Sequence, residues 1–361
     1  MIPMAQTIFF ENQIFLDDIS SLVSTFKDWE FFRDQSVLVT GGAGLVPSYL
    51  VNTLLYANHV LSLNLNITCL VRSEQSNLFR LASWINNSSL HLIYGTAEEY
   101  PYSLLEPHSI IVHAASAASP KIYAQDPVGV ILPNSTGTMR LCDQGRLWQI
   151  KRLLYFSTGE VYGINSKEYF NELDFGYLDP NSLRSCYAES KRVGESICKA
   201  YSHQYSLPAT SARIFHTYGP QMLLDDGRVF ADFVRDALNR KPIVLASSGS
   251  ARRCFCYLKD ATSAFLTLLV NGLSGEAYNL ANPNAEISIL ELAHLVANLV
   301  DPKLEVSIQD SFAKKPGYVP SAVPRSLPSV LKLEALGWRA SIGLEEGFSR
   351  TLLSYSNFHH A

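Results

Sequence analysis

The chain predicts an α/β fold: a Rossmann-like, doubly wound parallel sheet with a smaller C-terminal lobe suited to closing over a substrate. Three observations carry this. Short apolar runs alternate with helical stretches from Ser36 onward, a glycine-rich turn, Thr40-Gly-Gly-Ala-Gly44, follows the first run directly, and the rhythm becomes irregular after Tyr218-Gly-Pro220.

Residues 1–35 precede the first of these strands. Leu16, Ile19, Leu22, Val23 and Phe26 recur at helical spacing, which predicts an amphipathic helix that packs on the body of the protein or meets a second subunit. Val37-Leu-Val39 reads as a short buried strand and Leu45 to Tyr56 as a helix. Ile67 to Val71, Ile110 to His113 and Leu153 to Phe156 read as further strands. Residues 36–220 are thus expected to form mainly the dinucleotide-binding domain. Residues 221–355 mainly supply the lobe, with some segments returning to the sheet. Gly and Pro clusters at Asp225 to Arg228, Ser247 to Ser250 and Lys315 to Pro328 fit loops that close over a ligand beyond the strand ends. From Ser354 the chain reads as a frayed tail, assigned to residues 356–361.

Composition narrows the function classes. With 361 residues, 47% hydrophobic and 17% charged, the chain can bury one large core with an appended lobe, or two domains. A net charge of -4 offers no basic excess to neutralise phosphates, so no nucleic-acid partner is expected. The six cysteines contain no CxxC pair and the nine histidines no HExxH, so reduced thiols and no metal site are expected. Neither a basic, apolar leader nor an apolar run of about 18 residues occurs; no membrane association is expected, and a cytoplasmic location is.

The glycine turn locates a cofactor. Gly41 and Gly44 suit a strand-to-helix turn whose backbone approaches a pyrophosphate, and a helix starting at Leu45 and Val46 directs its amides and dipole at the same anion. Pro47 stands where a small residue would let helix and strand approach, and is tolerated in a first helical turn. At the end of the second strand, where an acid would take the adenosine ribose, stand Val71 and Arg72. Arg72 can pair with a 2'-phosphate, which tilts the choice between NAD and NADP toward NADP. Gly95-Thr96 lacks an acid for the adenine amine.

Chemistry is read from two further segments. Ser157-Thr-Gly-Glu-Val-Tyr-Gly163 follows a strand and puts Thr158 and Glu160 at the mouth of the sheet. Tyr187 and Lys191, four residues apart, share one face of a helix. Oxidising a secondary alcohol requires a base for its proton while hydride leaves for nicotinamide. Tyr187 is expected to be that base, Lys191 to lower its pKa and hold the nicotinamide ribose, and Thr158 to bond the sugar oxygen.

On these motifs the chain resembles extended short-chain dehydrogenases/reductases of the NAD-dependent epimerase/dehydratase type, which act on nucleotide sugars. The likeness runs from about Ser36 to Tyr355. It includes His113-Ala-Ala-Ser116, Arg213-Ile-Phe-His-Thr-Tyr-Gly-Pro220, Leu336-Gly-Trp338 and Leu344-Glu-Glu-Gly347. The wording is most similar to that of UDP-glucuronate decarboxylases in Ser116 to Tyr123, Arg184-Ser-Cys-Tyr187, Asp225-Asp-Gly-Arg-Val229 and Arg252-Arg-Cys-Phe255. The resemblance implies Ala114, Ala115 and Ser116 at the cofactor, Tyr123 and Glu160 at the sugar, Arg228 and Val229 near the nucleotide base, and Arg253 as a clamp on phosphate or sugar. A guanidinium suits that last role, with a surface ion pair as the alternative. It also implies a homodimer built through two helices per subunit, one of them carrying Tyr187.

Members share an opening oxidation at C4 of the sugar, after which a C5 carboxylate can leave as carbon dioxide, a C6 hydroxyl as water, or C4 can be inverted. Gly159 lacks the acid that dehydratases place before the glutamate, which disfavours dehydration, and also the small hydroxyl residue common in decarboxylases. His216 replaces an asparagine that supports substrate binding; it donates one bond and is expected to titrate near neutrality. Ser329 stands where aspartate is frequent. Decarboxylation leads, with 4-epimerisation and NADPH-dependent 4-keto-sugar reduction as alternatives. A non-catalytic dinucleotide sensor on the same fold is the reading from another class.

Overall fold

The computed structural model describes residues 12–118, 120–165, 167–309 and 325–356. In chain order its strands are β1 (Ser36–Thr40), β2 (Asn66–Val71), β3 (Leu90–Tyr94), β4 (Ile110–His113), β5 (Arg152–Thr158), β6 (Tyr169–Phe170), β7 (Ala209–Ile214), β8 (His216–Tyr218), β9 (Ile243–Leu245), β10 (Arg252–Tyr257), β11 (Ala277–Leu280), β12 (Glu286–Ser288), β13 (Val306–Ile308) and β14 (Arg325–Pro328). Seven of them form one parallel sheet in the order β11-β7-β5-β4-β1-β2-β3. Val37, Leu38 and Val39 are fully buried, as a strand covered on both faces requires. The chain runs outward from β1 through β2 to β3, then crosses back to β4. A switch point therefore lies between β1 and β4, and ligands of such sheets bind beyond the strand ends there.

Helices wrap the sheet: α1 (Gln13–Thr25), α2 (Leu45–Leu61), α3 (Pro120–Gln125), α4 (Pro127–Leu132), α5 (Thr138–Trp148), α6 (Ser185–Tyr205), α7 (Val229–Leu238), α8 (Leu258–Asn271), α9 (Ile289–Val300), α10 (Leu331–Glu334) and α11 (Leu344–Ser356). Helix α2 outruns the expected Tyr56 by more than a turn and ends where Ser62 turns left-handed. Residues Pro133–Gly137 join α4 to α5 as a π-helical stretch. The lobe is built on a mixed sheet, β12-β10-β14-β6, with β8 parallel to β10, and on a separate cluster that includes Phe230, Phe233, Leu292, Val296 and Phe348. A capping box, Ser288 with Glu291, starts α9.

The extension forms α1. It buries Phe15, Ile19 and Leu22 against Tyr49 of α2 and Leu258 of α8, so it packs on the body. Residues 1–11 lie outside the described residues. Two expectations are corrected. The tail does not fray at Ser354: that residue is buried within α11, and the Tyr355 hydroxyl donates to the Met222 carbonyl, so packing extends the helix to Ser356. Residues 357–361 lie outside the description. Of the cluster Lys315 to Pro328, residues 315–324 also lie outside it, but Arg325–Pro328 is strand rather than loop, because β14 pairs with both β10 and β6. Among the described residues no helix is long and apolar enough to cross a membrane, and no cluster could hold a metal.

Candidate active site

The turn after β1 is shaped for a close backbone approach. Gly41 has φ +70°, and a Cβ there would lie 2.9 Å from Ala115 Cα; one on Gly42 would lie 2.7 Å from Cys69 Sγ. No side chain caps α2, so the first-turn amides of Leu45 and Val46 face outward from a helix N-terminus, where Pro47 contributes none. These residues fit a dinucleotide: Gly41 to Val46 would hold its pyrophosphate. Pro47 is buried in that first turn, and a Cβ on Gly44 would come within 3.1 Å of its ring.

The opposite wall is the end of β4. His113 Nε2 donates to the Pro133 carbonyl at 2.9 Å, so Nδ1 accepts from the Thr40 hydroxyl at 2.7 Å. Burial, helped by Lys191, pushes His113 down to about 3 and keeps it neutral. Thr40 Oγ1 in turn accepts the amides of Ala114 and Ala115 at 3.2 and 3.1 Å, which holds these alanines against the glycine turn. Ser116 Oγ accepts from Asn134 at 3.0 Å. Arg72 stands exposed just past β2.

Strand β5 and helix α6 bring the proposed chemical groups together. Tyr187, Lys191 and Thr158 are all buried, and the Thr158 side chain lies near enough to Tyr187 to act against the rise of its pKa. Tyr123 stacks on Tyr187 with ring centroids 4.9 Å apart. The electrostatics of this site correct the sequence expectation. Burial first, then the Glu160 carboxylate, pushes Tyr187 up to about 12, and Lys191 is not among the groups that lower it. Lys191 Nζ instead donates to the Phe156 carbonyl at 2.5 Å and lies 5.9 Å from the Tyr187 ring centre. Burial lowers it to about 7, with Glu195 acting in the other direction. Desolvation, which the spacing of two residues does not reveal, outweighs the pairwise attraction.

Glu160 is the focus of a second cluster. Burial raises its pKa against the attraction of Arg184, Arg228 and Arg253. Three guanidiniums therefore act on one carboxylate that burial drives toward its neutral form, and one of them, Arg228, also pairs with Asp226 at 3.4 Å. Arg253 is buried, while the surface ion pairs belong to its neighbour Arg252, with Glu286 and Glu291. Arg228 precedes α7, whose first residue, Val229, is partly exposed. His216 packs beside Phe255, and burial with Arg253 and Arg228 pushes it down to about 3. The expected titration near neutrality is thus overturned: this imidazole is neutral across the physiological range. Gly159 cannot carry a side chain as packed, since a Cβ there would lie 2.5 Å from the Phe215 ring.

Several contributors carry no role in the sequence reading. Arg184 lies three residues before Tyr187, a spacing that already places it on the same helical edge. Asn134, fully buried in the π stretch, donates to Ser116, Ser190 and the Val130 carbonyl, tying the cofactor wall to α6. An asparagine inside an otherwise helical run was the available signal. Glu195 accepts from Ser157 at 2.5 Å and from Arg213 at 2.7 to 3.2 Å, one turn beyond Lys191.

Comparison with known proteins places the chain in a family. Residues 37–281 match the NAD dependent epimerase/dehydratase family. UDP-glucuronic acid decarboxylase 1 of Danio rerio is 32% identical over 321 residues, covering 89% of this chain and 72% of that protein. Among solved structures, UDP-glucose 4-epimerase of Thermotoga maritima superposes with a TM-score of 0.77 at 22% identity, over 90% of this chain and 100% of the other. UDP-glucuronic acid 4-epimerase of Bacillus cereus, solved with UDP-glucuronic acid and NAD, gives 0.76 at 20% identity, over 90% and 99%. At those identities the two structures speak for the fold alone.

Proposed function

The chain belongs to the NAD-dependent epimerase/dehydratase family and is an NAD(P)-dependent enzyme that modifies nucleotide sugars; from that premise we propose that its reaction is the decarboxylation of UDP-glucuronate. The observation that carries this reading is the set of three guanidiniums, Arg184, Arg228 and Arg253, that act on the Glu160 carboxylate, beside the buried side chains of Thr158 and Tyr187. A diphosphate and a sugar carboxylate together need such an excess of cations.

NAD or NADP, held by Gly41 to Val46, would supply a reversible hydride acceptor for the sugar carbon. The chain supplies the rest. Thr158 and Tyr187 hold the C4 hydroxyl between them, and Tyr187 takes its proton. Lys191, one helical turn on and fixed by its bond to the Phe156 carbonyl, would hold the nicotinamide ribose. A ketone at C4 makes the C5 carboxylate part of a β-keto acid, which loses carbon dioxide and leaves an enolate. Glu160, pushed toward its neutral form, is placed to return a proton. Dehydration is disfavoured, because the Phe215 ring fills the space that an acid at position 159 would need.

A second reading, 4-epimerisation or NADPH-dependent reduction of a 4-keto sugar, is favoured by Arg72 beside β2 and by the missing hydroxyl at Gly159. Incubation with UDP-glucuronate is expected to release carbon dioxide and UDP-xylose. A C4-inverted product, or net NADPH oxidation by a 4-keto sugar, would transfer the assignment to the second reading. Tyr187→Phe is expected to lower kcat by about 10²–10⁴-fold while leaving cofactor affinity near wild type. A sensor would have no use for Thr158, Tyr187 and Lys191 together, and this substitution would leave its behaviour unchanged. We also infer a homodimer through the outer faces of α4, α5 and α6, where Val128, Ile131, Met139 and Val193 are exposed.

A further inference from the structure

Arg80 lies in the 3-10 turn Leu78–Trp84 that follows β2, and only 4% of it is exposed. Its Nη1 donates to the Ala43 carbonyl at 3.0 Å, inside the glycine turn. Its Nε and Nη2 donate to the Gln221 carbonyl at 3.1 and 3.0 Å. One guanidinium thus bridges two segments that are 178 residues apart by their numbers, 221 less 43. Ala43 immediately precedes Gly44, the N-cap of α2. Gln221 opens the segment that ends at Arg228, the N-cap of α7 and one of the cations around Glu160.

The bridge is fixed at its base and loaded at its far end. Asn52 donates to the Arg80 carbonyl at 2.9 Å and accepts from Trp84 at 3.0 Å, so the turn carrying Arg80 is anchored to α2. Gln221 is a non-glycine residue at φ +64°, and its side-chain Oε1 is buried without a hydrogen-bond partner. Both features are unfavourable, and such a conformation persists only where its surroundings hold it. The paired donation from Arg80 is such a hold. Burial lowers this guanidinium to about 10, so it stays charged at neutral pH, with Asp226 near enough to favour that charge.

We propose that Arg80 is a positioning residue that couples the glycine turn to the segment Gln221–Arg228, so that occupancy of the cofactor site raises the affinity of the nucleotide site and the reverse. The inference rests on the assignment of a dinucleotide and a nucleotide sugar to these two sites. A planar fork donates to two carbonyls at fixed angles, whereas an ammonium is a point charge that cannot reproduce that geometry. Settling an anion on the turn at α2 then orders the Gln221 carbonyl in advance of the second ligand, and linkage makes the effect reciprocal.

The test uses calorimetric titration of the full chain with NAD and with UDP, each alone and with the other saturating. In wild type, NAD is expected to tighten UDP binding, and UDP to tighten NAD binding, by the same factor of about 5–150. Arg80→Met should bring that factor toward one while each ligand still binds alone, and Arg80→Lys should reduce it. A folded Arg80→Met with wild-type coupling overturns the proposal, as does independent binding in wild type. If Arg80→Met fails to fold, Arg80→Lys decides by the same criterion. A wild type that binds neither ligand overturns the ligand assignment itself, and the inference with it.

Discussion

Lys191 carries the residue-scale prediction. Its pKa in the folded chain is about 7, against about 10.4 for an exposed lysine. Between those values the unfolded chain binds more protons than the folded one, so stability rises with pH across the interval. The contribution is complete above the unfolded value and is lost as pH falls through about 7. In Lys191→Met nothing titrates at this position. The stability of wild type relative to that variant, from urea midpoints at constant m, is therefore expected to rise between pH 6 and 9; a flat difference would contradict the burial of this amine. The pairing of Tyr187 with Lys191 was legible in the sequence because helical spacing alone dictates it. The direction of their pKa shifts was not, because desolvation depends on Tyr155, Phe156 and Tyr123 closing around them. His216 shows the same limit, since its letter names a titratable ring while its burial between Arg228 and Arg253 keeps the ring neutral.

At the scale of elements, the extension helix α1 was readable from apolar periodicity, but the residue that fastens it was not. Asp18, fully buried, accepts from Tyr49 of α2 at 2.7 Å, Tyr257 of β10 at 2.6 Å and Arg350 of α11 at 3.0 Å. A charged residue on an apolar face reads as an interruption until its three donors arrive from remote parts of the chain. Asp18→Ala would strand two buried hydroxyls and leave the Arg350 guanidinium to Glu346 alone, so a loss of about 3 kcal/mol is expected, measured as a lower denaturant midpoint. Cofactor affinity should fall less than stability, because the glycine turn keeps its own contacts with Ala114 and Ala115. A stability change under about 0.5 kcal/mol would place Asp18 with ordinary surface residues. Strand β14 escaped notice for a related reason: Arg325–Pro328 sits among prolines that suggest a loop, and only its partners β6 and β10 make it strand.

For the whole molecule, the doubly wound sheet followed from the alternation of apolar runs, whereas the strand at its edge, β11, lies inside the half of the chain that reads as irregular. Its pairing with β7 returns the late chain to the sheet. Helix α6 has two distinct faces. Tyr187, Lys191, Gly194 and Cys198 point inward, and Gly194 is required there because a Cβ would lie 2.1 Å from the Tyr155 hydroxyl. Val193, 45% exposed, points away from the site. If the outer face meets a second copy, a glutamate there would be buried against apolar side chains without a partner, at a cost of several kcal/mol. On a free surface the same change would be worth less than about 0.5 kcal/mol. Val193→Glu is therefore expected to convert a dimer to monomers in sedimentation velocity, with little change in the unfolding midpoint of the monomer. Since the same helix holds Tyr187 and Lys191, that monomer should also lose activity by more than it loses cofactor. Sedimentation identical to wild type would place the subunit contact elsewhere on the molecule.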